Sequence, residues 1–365
     1  MTEEYVNPFE GTPLERLRLS EWDWQITQPK WTLNQLIPAK SIGMLVGASN
    51  SGKSHLICDL VMAMLTDAPT WHDIDLIGGD VVMFSESMGH IQARMKGNAQ
   101  LCGRTVKHKL FSYPTLSLEW QHIQLLGDWL MALPSKPQMI VFDTVATSFS
   151  FEENDNREAS RMIKQMEDHI LPRLSPTGCI ALIHHTSKAS EGKSARGASA
   201  LIGNIDWSIN VSWDTELERT IAKWEKDRWR IVKDPLSLIG EPQRVPVNFT
   251  NGQAEVMVLD WSPFTDEEKE AHKKLKEEQR NLNVRQAVIQ ALREAIEASG
   301  WVYIHSGSRA RPPKDMEPWK PPMEISNKDW GRVRDWILDN ATGDEVKTAN
   351  NAFAGKKIWG LPQGI

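Results

Sequence analysis

The sequence predicts an α/β protein: a mostly parallel sheet covered by helices, followed by a small C-terminal α+β domain. Three observations predict it. Between Ser41 and about Trp261, short and nearly continuous apolar runs alternate with helical patterns. That alternation is expected of strands buried on both faces of a parallel sheet. The first run passes through a glycine-rich loop directly into a helix, and after Trp261 the composition turns charged.

Taken in order, "SIGMLVG" (41–47) reads as the first strand and "HLICDLVMAML" as the helix after the loop. "DVVMFSE" (80–86) is the next strand, with a helix over "GHIQARMKGNAQLCG". "QMIVFDT" (138–144) is another, followed by a helix over "NREASRMIKQMEDHILPRL" with Met162, Ile163, Met166, Ile170 and Leu171 on its apolar stripe. "CIALIHHT" (179–186) follows, and "DWSINVSW", "RTIAKWE" and "VMVLDW" read as later strands. These elements make one core domain over 41–262, preceded by a segment 1–40.

Beyond the core, "TDEEKEAHKKLKEEQRNLN" within 263–282 reads as a charged helical linker. From 283 a second helix has Val284, Ala287, Val288, Ala291, Leu292, Ala295 and Ile296 on one stripe. "WVYI" (301–304) is a short strand, and "HSGSRARPPKDMEPWKPP" a proline-rich basic loop. Ser326 with Asp329 marks a helix start, and Trp330, Val333, Trp336 and Ile337 give that helix a buried face. Residues 283–365 are therefore expected to form a small domain, winged-helix-like in pattern.

Composition narrows the function classes. The 365 residues are 25% charged and 40% hydrophobic, and carry a net charge of −6, as in an ordinary soluble globular chain. That charge neither demands nor excludes a nucleic-acid partner, because a basic channel can sit in an acidic protein. Cys58, Cys102 and Cys179 have no metal-ligand spacing and read as reduced, buried thiols of a cytoplasmic protein. The N-terminus "MTEEYVNPFE" is acidic and lacks the apolar run of a signal peptide. No uncharged apolar stretch reaches the ~20 residues of a membrane span, so no membrane partner is expected.

The tightest pattern is G-x-x-x-x-G-K-S from Gly47 to Ser54. Between a strand and a helix, it is the arrangement of a phosphate-binding loop. Gly47 and Gly52 let backbone N–H groups wrap phosphates, and the helix N-terminus adds a favourable dipole. The candidate nucleotide-binding residues are Gly47, Ala48, Ser49, Asn50, Ser51, Gly52, Lys53, Ser54 and His55. Lys53 would neutralise phosphate charge and Ser54 would ligate Mg2+, so ATP and Mg2+ are the expected cofactors. Hydrolysis further needs a carboxylate near the metal and a base that orients water. Asp143, at the end of "MIVFDT", is the metal carboxylate candidate, and Glu86, closing "DVVMFSE", the base. His184 and His185 end another strand at the same edge. "SKASEGKSARGASA" follows them, with Lys188, Lys193 and Arg196 placed to grip a phosphate backbone.

In this order the pieces resemble the RepA-type hexameric replicative helicases of plasmids and phages, within the RecA-like P-loop ATPases. The likeness rests on "VGASNSGKS", "VVMFSE", "MIVFDT", "FEENDNREAS", "LIHHTSK" and "ARGASALIGNIDW", covering roughly Trp31 to Trp261. It implies a hexameric ring with nucleotide between subunits, residues 1–40 packing on or between them, and single-stranded DNA through the middle. By resemblance, Lys53, Ser54, Asp143 and Glu86 take the roles above. His185 becomes the γ-phosphate sensor beside His184, and 187–198 a DNA-contacting channel loop. The bacterial host cytoplasm would be its location, and other replication proteins further partners. One departure stands out. Where the plasmid helicases carry an arginine finger after the Asn-Ile matching Asn204-Ile205, this chain has Asp206. Lys226 and Arg228 of "KWEKDRWR", or Arg196, are the substitute trans-acting candidates.

Sixteen tryptophans are unusually many. Trp22, Trp24, Trp31, Trp207, Trp213, Trp224, Trp229 and Trp261 are expected to be core or interface anchors. Trp319 stands apart as either a DNA or partner contact or part of a solvated proline-rich loop, since Arg309, Arg311, Lys314 and Lys320 share its loop and Arg332 and Arg334 follow. The functional expectation is a DNA helicase driven by ATP hydrolysis. Two others stand beside it: a non-unwinding ATPase that mediates recombination or loads proteins, and a nucleotide-controlled DNA-binding initiator or scaffold.

Overall fold

Every central strand of the larger sheet buries side chains on both of its faces, which explains why those segments are apolar at nearly every position. The computed structural model describes residues 29–66, 68–150, 155–186, 199–215, 217–228, 236–307, 316–321, 325–347 and 353–361. The chain divides into two compact units, Met1–Phe264 and Thr265–Ile365.

The main elements of the larger unit are β1 (Ile42–Gly47), α1 (Lys53–Leu65), β2 (Val81–Ser85), α2 (Met88–Leu101), β3 (Leu110–Tyr113), α3 (His122–Met131) and β4 (Met139–Asp143). They continue with α4 (Asn156–His169), β5 (Cys179–His185), α5 (Ser199–Asn204), β6 (Trp207–Asp214), β7 (Arg219–Asp227), β8 (Ser237–Phe249) and β9 (Gly252–Pro263). One nine-stranded sheet holds these nine strands in the order β9-β8-β7-β6-β1-β5-β4-β2-β3. From β6 to β3 all pairs are parallel, whereas β7, β8 and β9 extend the sheet by antiparallel pairing.

Alternate residues sort to opposite faces. Leu45, Met83, Val141 and Ala181 join Leu56, Leu60, Ile91 and Met95 of α1 and α2 in one core. Met44, Phe84, Phe142 and Leu182 join Ile123, Leu126, Met162 and Met166 of α3 and α4 in the other. The β8–β9 hairpin packs on α2 across Gly97, where a Cβ would lie 2.7 Å from Val258 Cγ1. Of the tryptophans, Trp207, Trp224 and Trp261 are buried in the first core. Trp213 is 44% exposed and so is not a core residue of this chain. Trp22, Trp24 and Trp229 lie outside the described residues. Cys58 and Cys179 are buried as expected, but Cys102 ends α2 and is exposed.

In the smaller unit, the charged segment and the amphipathic one beyond 283 form a single helix, α6 (Asp266–Ser299). Thr265 and Glu268 close a capping box at its start, and Gly300, at φ 77°, ends it. β10 (Val302–His305), α7 (Asn327–Asn340), β11 (Thr342–Lys347) and β12 (Phe353–Gly360) follow. The three strands form an antiparallel sheet in the order β10-β12-β11. Val288, Leu292, Val302, Ile304, Val333, Ile337 and Ile358 make its core. Ile289 is buried, while Ala287 of the expected stripe faces solvent. The Ser326 side chain caps α7 by accepting from Asp329 N. Trp319 differs from its expectation: it packs against this core with its ring 5.6 Å from that of Trp330. Arg309, Arg311 and Lys314 lie outside the described residues. Among the described residues no helix is long and apolar enough to cross a membrane.

Candidate nucleotide site

Parallel register brings four strand ends to one edge. Gly47 ends β1 opposite His185 of β5, Asp143 of β4 pairs with Ile183, and Ser85 of β2 pairs with Asp143. Glu86 follows Ser85 by one residue. The phosphate loop, His185, Asp143 and Glu86 therefore line one crevice at the carboxyl edge, the place where open α/β sheets hold ligands.

The loop itself is built for an anion. Gly52 sits at φ 98°, a left-handed conformation that favours glycine. It begins α1 without any side-chain cap, leaving the first-turn N–H groups to a ligand. Ser51 is buried, and its hydroxyl has no hydrogen-bond partner among the described residues. An orphaned buried hydroxyl in such a loop suits a phosphate oxygen.

Lys53 lies across the loop. Its Nζ donates to Gly47 O at 2.9 Å and Ala48 O at 2.6 Å, and stands 3.1 Å from His185 Nδ1. Gly47 O also accepts from Thr186 N at 3.1 Å. An ammonium can only donate, so Nδ1 is the acceptor and His185 is neutral in this arrangement. Burial, and then the charges of Lys53 and His184, hold the His185 pKa below its ordinary value. Ser49 Oγ is 3.4 Å from the same nitrogen, so the sensor candidate touches both the loop and its lysine.

Burial lowers the Lys53 pKa to about 8, partly opposed by Asp143. This shift has a measurable consequence. An anionic phosphate binds the protonated lysine, so at pH 8 binding must draw a proton onto part of the population. Calorimetry of ATP binding in buffers of differing ionisation enthalpy should show proton uptake near pH 8. Affinity should fall, approaching about tenfold per pH unit, as pH rises further. Uptake should vanish in Lys53→Arg, whose guanidinium does not titrate there.

Ser54 Oγ donates to Asp143 Oδ2 at 3.0 Å. Burial raises the Asp143 pKa, while the Ser54 hydroxyl, Lys53 and Arg94 oppose the rise and Glu86 adds to it. No group of three or more His, Cys, Asp or Glu side chains able to hold a metal exists among the described residues. A hydroxyl and one carboxylate, both hard oxygen donors, do fit Mg2+ that also takes phosphate and water oxygens. Glu86 is exposed at the strand end, open to a water molecule.

Arg94 was not foreseen. It lies half-buried on α2, and its charge acts on Asp143, His55 and Cys58. The signal was present, since Arg94 falls on the stripe of Ile91, Met95 and Asn98, all buried. His55 points away from solvent, with Nε2 3.3 Å from Met257 O. Burial takes its pKa down to about 4, which makes it a neutral packing residue between α1 and β9.

The trans-acting candidates lie elsewhere. β7 runs antiparallel to β6, so Arg228 emerges beyond the amino end of β1. Five residue steps separate that end from the phosphate loop, roughly 16 Å of strand. There Asp206 holds it. Asp206 Oδ1 meets Arg228 Nη1 at 2.9 Å, Oδ2 accepts from Ile42 N at 2.9 Å, and Arg228 N donates to Asp206 O at 2.9 Å. Lys226 Nζ donates to Ile202 O and Gly203 O at the end of α5. Neither cation joins Lys53, Asp143, Glu86 and His185 in the same chain. Lys188, Lys193 and Arg196 lie outside the described residues.

Residues 10–191 match a protein family described as an AAA domain. Among solved structures, the chain is similar to one described as the crystal structure of the RadB recombinase. The TM-score is 0.36 at 13% sequence identity, covering 56% of this chain and 87% of that one. No curated protein matches the sequence. The larger unit thus joins a mostly parallel sheet, a phosphate loop and edge carboxylates in one α/β domain.

Proposed function

We propose that the chain is a ring-forming motor that couples ATP hydrolysis to movement on single-stranded DNA, as a replicative helicase of a phage or plasmid. One observation carries the proposal. His185 touches Lys53 and Ser49 in the phosphate site, and the segment 187–198, with its three cations, begins two residues later. A change at the phosphate therefore has a short covalent route to a DNA-binding loop.

Within the site, Lys53 leaves its backbone carbonyls to donate to phosphate oxygens, and the loop N–H groups hold the rest of the phosphate chain. Ser54 and Asp143 hold Mg2+, which neutralises phosphate charge when bound. Glu86 accepts a hydrogen bond from the attacking water and orients it. His185, neutral and beside Lys53, reports whether the terminal phosphate is present. Arg228 points away from its own phosphate loop, which favours action on a neighbouring subunit's nucleotide and hence a closed homo-oligomer, a hexamer by resemblance.

The loop is tested by Lys188→Ala/Lys193→Ala/Arg196→Ala. DNA-free ATP turnover should be kept and stimulation by single strands lost. The slope of log affinity against log salt should shallow by about 2, at about 0.7 per removed phosphate contact. Unchanged stimulation and slope would move DNA contact elsewhere.

The Asp206–Arg228 pair favours a second reading, in which the ATPase acts on DNA without unwinding it, as a recombination mediator or loader. A finger already neutralised by a carboxylate transmits less between subunits. Displacement of the paired strand from a forked duplex separates the readings. A wild type that hydrolyses ATP on single strands yet never displaces the duplex strand leaves the second reading in place.

A further inference from the structure

We propose that the outer face of the smaller unit's sheet is a stacking platform for single-stranded nucleic acid. One face of this sheet is occupied: Val302, Ile304 and Ile358 turn toward Val288 and Leu292 of α6 and Val333 and Ile337 of α7. Alternation along the strands sends their neighbours to the opposite face. Val302 pairs with Ile358 and Tyr303 with Lys357, so Trp301 and Trp359 stand opposite one another on that outer side. Both are large and exposed, Trp301 at 36% and Trp359 at 44%.

A cation lies beside them, one register row along. Lys357 Nζ sits 4.0 Å from the centre of the Trp301 ring, the diagonal contact expected on one sheet face. Tyr303 alternates to the same side farther along the sheet but is covered, so the open part of this face is its Trp301–Trp359 end. Tyr303 is buried with its hydroxyl on Ala354 O at 3.0 Å, and it lies over Gly355, where a Cβ would meet its ring at 2.8 Å. Along β12 the outward positions thus read Phe353, Gly355, Lys357, Trp359, with exposed Lys347 opposite Phe353. Asp344 is the register partner of Lys357, and Lys347 Nζ lies 3.8 Å from Glu345 Oε2.

The chemistry suits a single strand above other ligands. Exposed indoles give bases a flat apolar surface, and a lysine beside them meets a phosphate of the bound strand. Sheets with aromatic side chains on a central strand bind single-stranded nucleic acid in this manner. A duplex offers no unstacked base to these rings. Indole stacking is also sequence-tolerant, as movement along a strand requires. The proposal draws on the motor reading only for the identity of the ligand, since these residues lie outside the ATPase unit.

The test uses the full-length protein and a fluorescein-labelled 20-mer of thymidylate, with binding followed by anisotropy without nucleotide. Trp301→Ala/Trp359→Ala should weaken binding by about tenfold or more, with DNA-free ATP turnover unchanged. Trp301→Phe/Trp359→Phe keeps an aromatic face and should stay within about threefold of wild type, which separates lost stacking from lost folding. Equal affinity of wild type and the double alanine variant overturns the platform and leaves the motor reading intact. A wild type that binds no thymidylate overturns both.

Discussion

Lys53→Ala is expected to lower ATP turnover by about 10²–10³-fold, the usual loss when one preorganised electrostatic contact is removed. Its effect on folding should be small: Lys53 is 4% exposed and burial pulls its pKa down, so the folded state disfavours its charge. The alanine loses hydrogen bonds to Gly47 O and Ala48 O, each worth about 1 kcal/mol, but relieves that burial. A denaturation midpoint close to wild type, beside turnover at background, is the expected pair of results. Turnover above a tenth of wild type would show that Lys53 does not hold the phosphates.

Glu86→Gln should have the next largest effect. The substitution keeps shape but removes the ability to take a proton, and positioned bases typically contribute 10²–10⁴-fold. Turnover should fall within about that range while ATP affinity stays near wild type, because Lys53, Ser54 and the loop remain. Glu86 is exposed and follows the end of a strand, so stability should not change. Glu86 also raises the pKa of Asp143. Removing its charge therefore lets Asp143 ionise more readily, so Mg2+ affinity should not fall. Single-turnover measurements separate binding from hydrolysis. If turnover survives in the glutamine variant, the base lies elsewhere on the edge.

Much of this site could be read from the sequence because its parts are local. β1, β2, β4 and β5 are unbroken apolar runs, and each ends in the residue that matters: Gly47, the pair Ser85 and Glu86, Asp143 and His185. Parallel pairing then aligns the ends without further information. What escaped the reading depends on pairing between distant segments. β8 contains Pro242 and Pro246, which argue against a strand. It tolerates them because only Ser237–Gly240 pair with β7, and beyond that point β8 pairs with β9 alone. Arg94 was hidden among the polar residues of α2, and its role appears only when α2 lies over Asp143 and α1.

Asp206 is the instructive case. In sequence it is a missing arginine. In the fold its carboxylate joins the start of β1 to the end of β7 through Ile42 N and Arg228, so the substitution and the neighbouring cation belong together. Trp319 runs the other way. Basic neighbours in the sequence suggested a nucleic-acid contact, yet the ring packs on Trp330, while Trp301 and Trp359, which drew no notice, are the exposed ones. Burial on one face of a three-stranded sheet cannot be seen until the register is known.

The most direct test of the central claim is the rate of ATP hydrolysis by the full-length wild type with and without single-stranded DNA, at low and physiological salt. A motor linked through His185 to a DNA-gripping loop should turn over faster with single strands than without, and the stimulation should weaken as salt rises. Identical rates with and without single-stranded DNA at both salt concentrations would contradict the account.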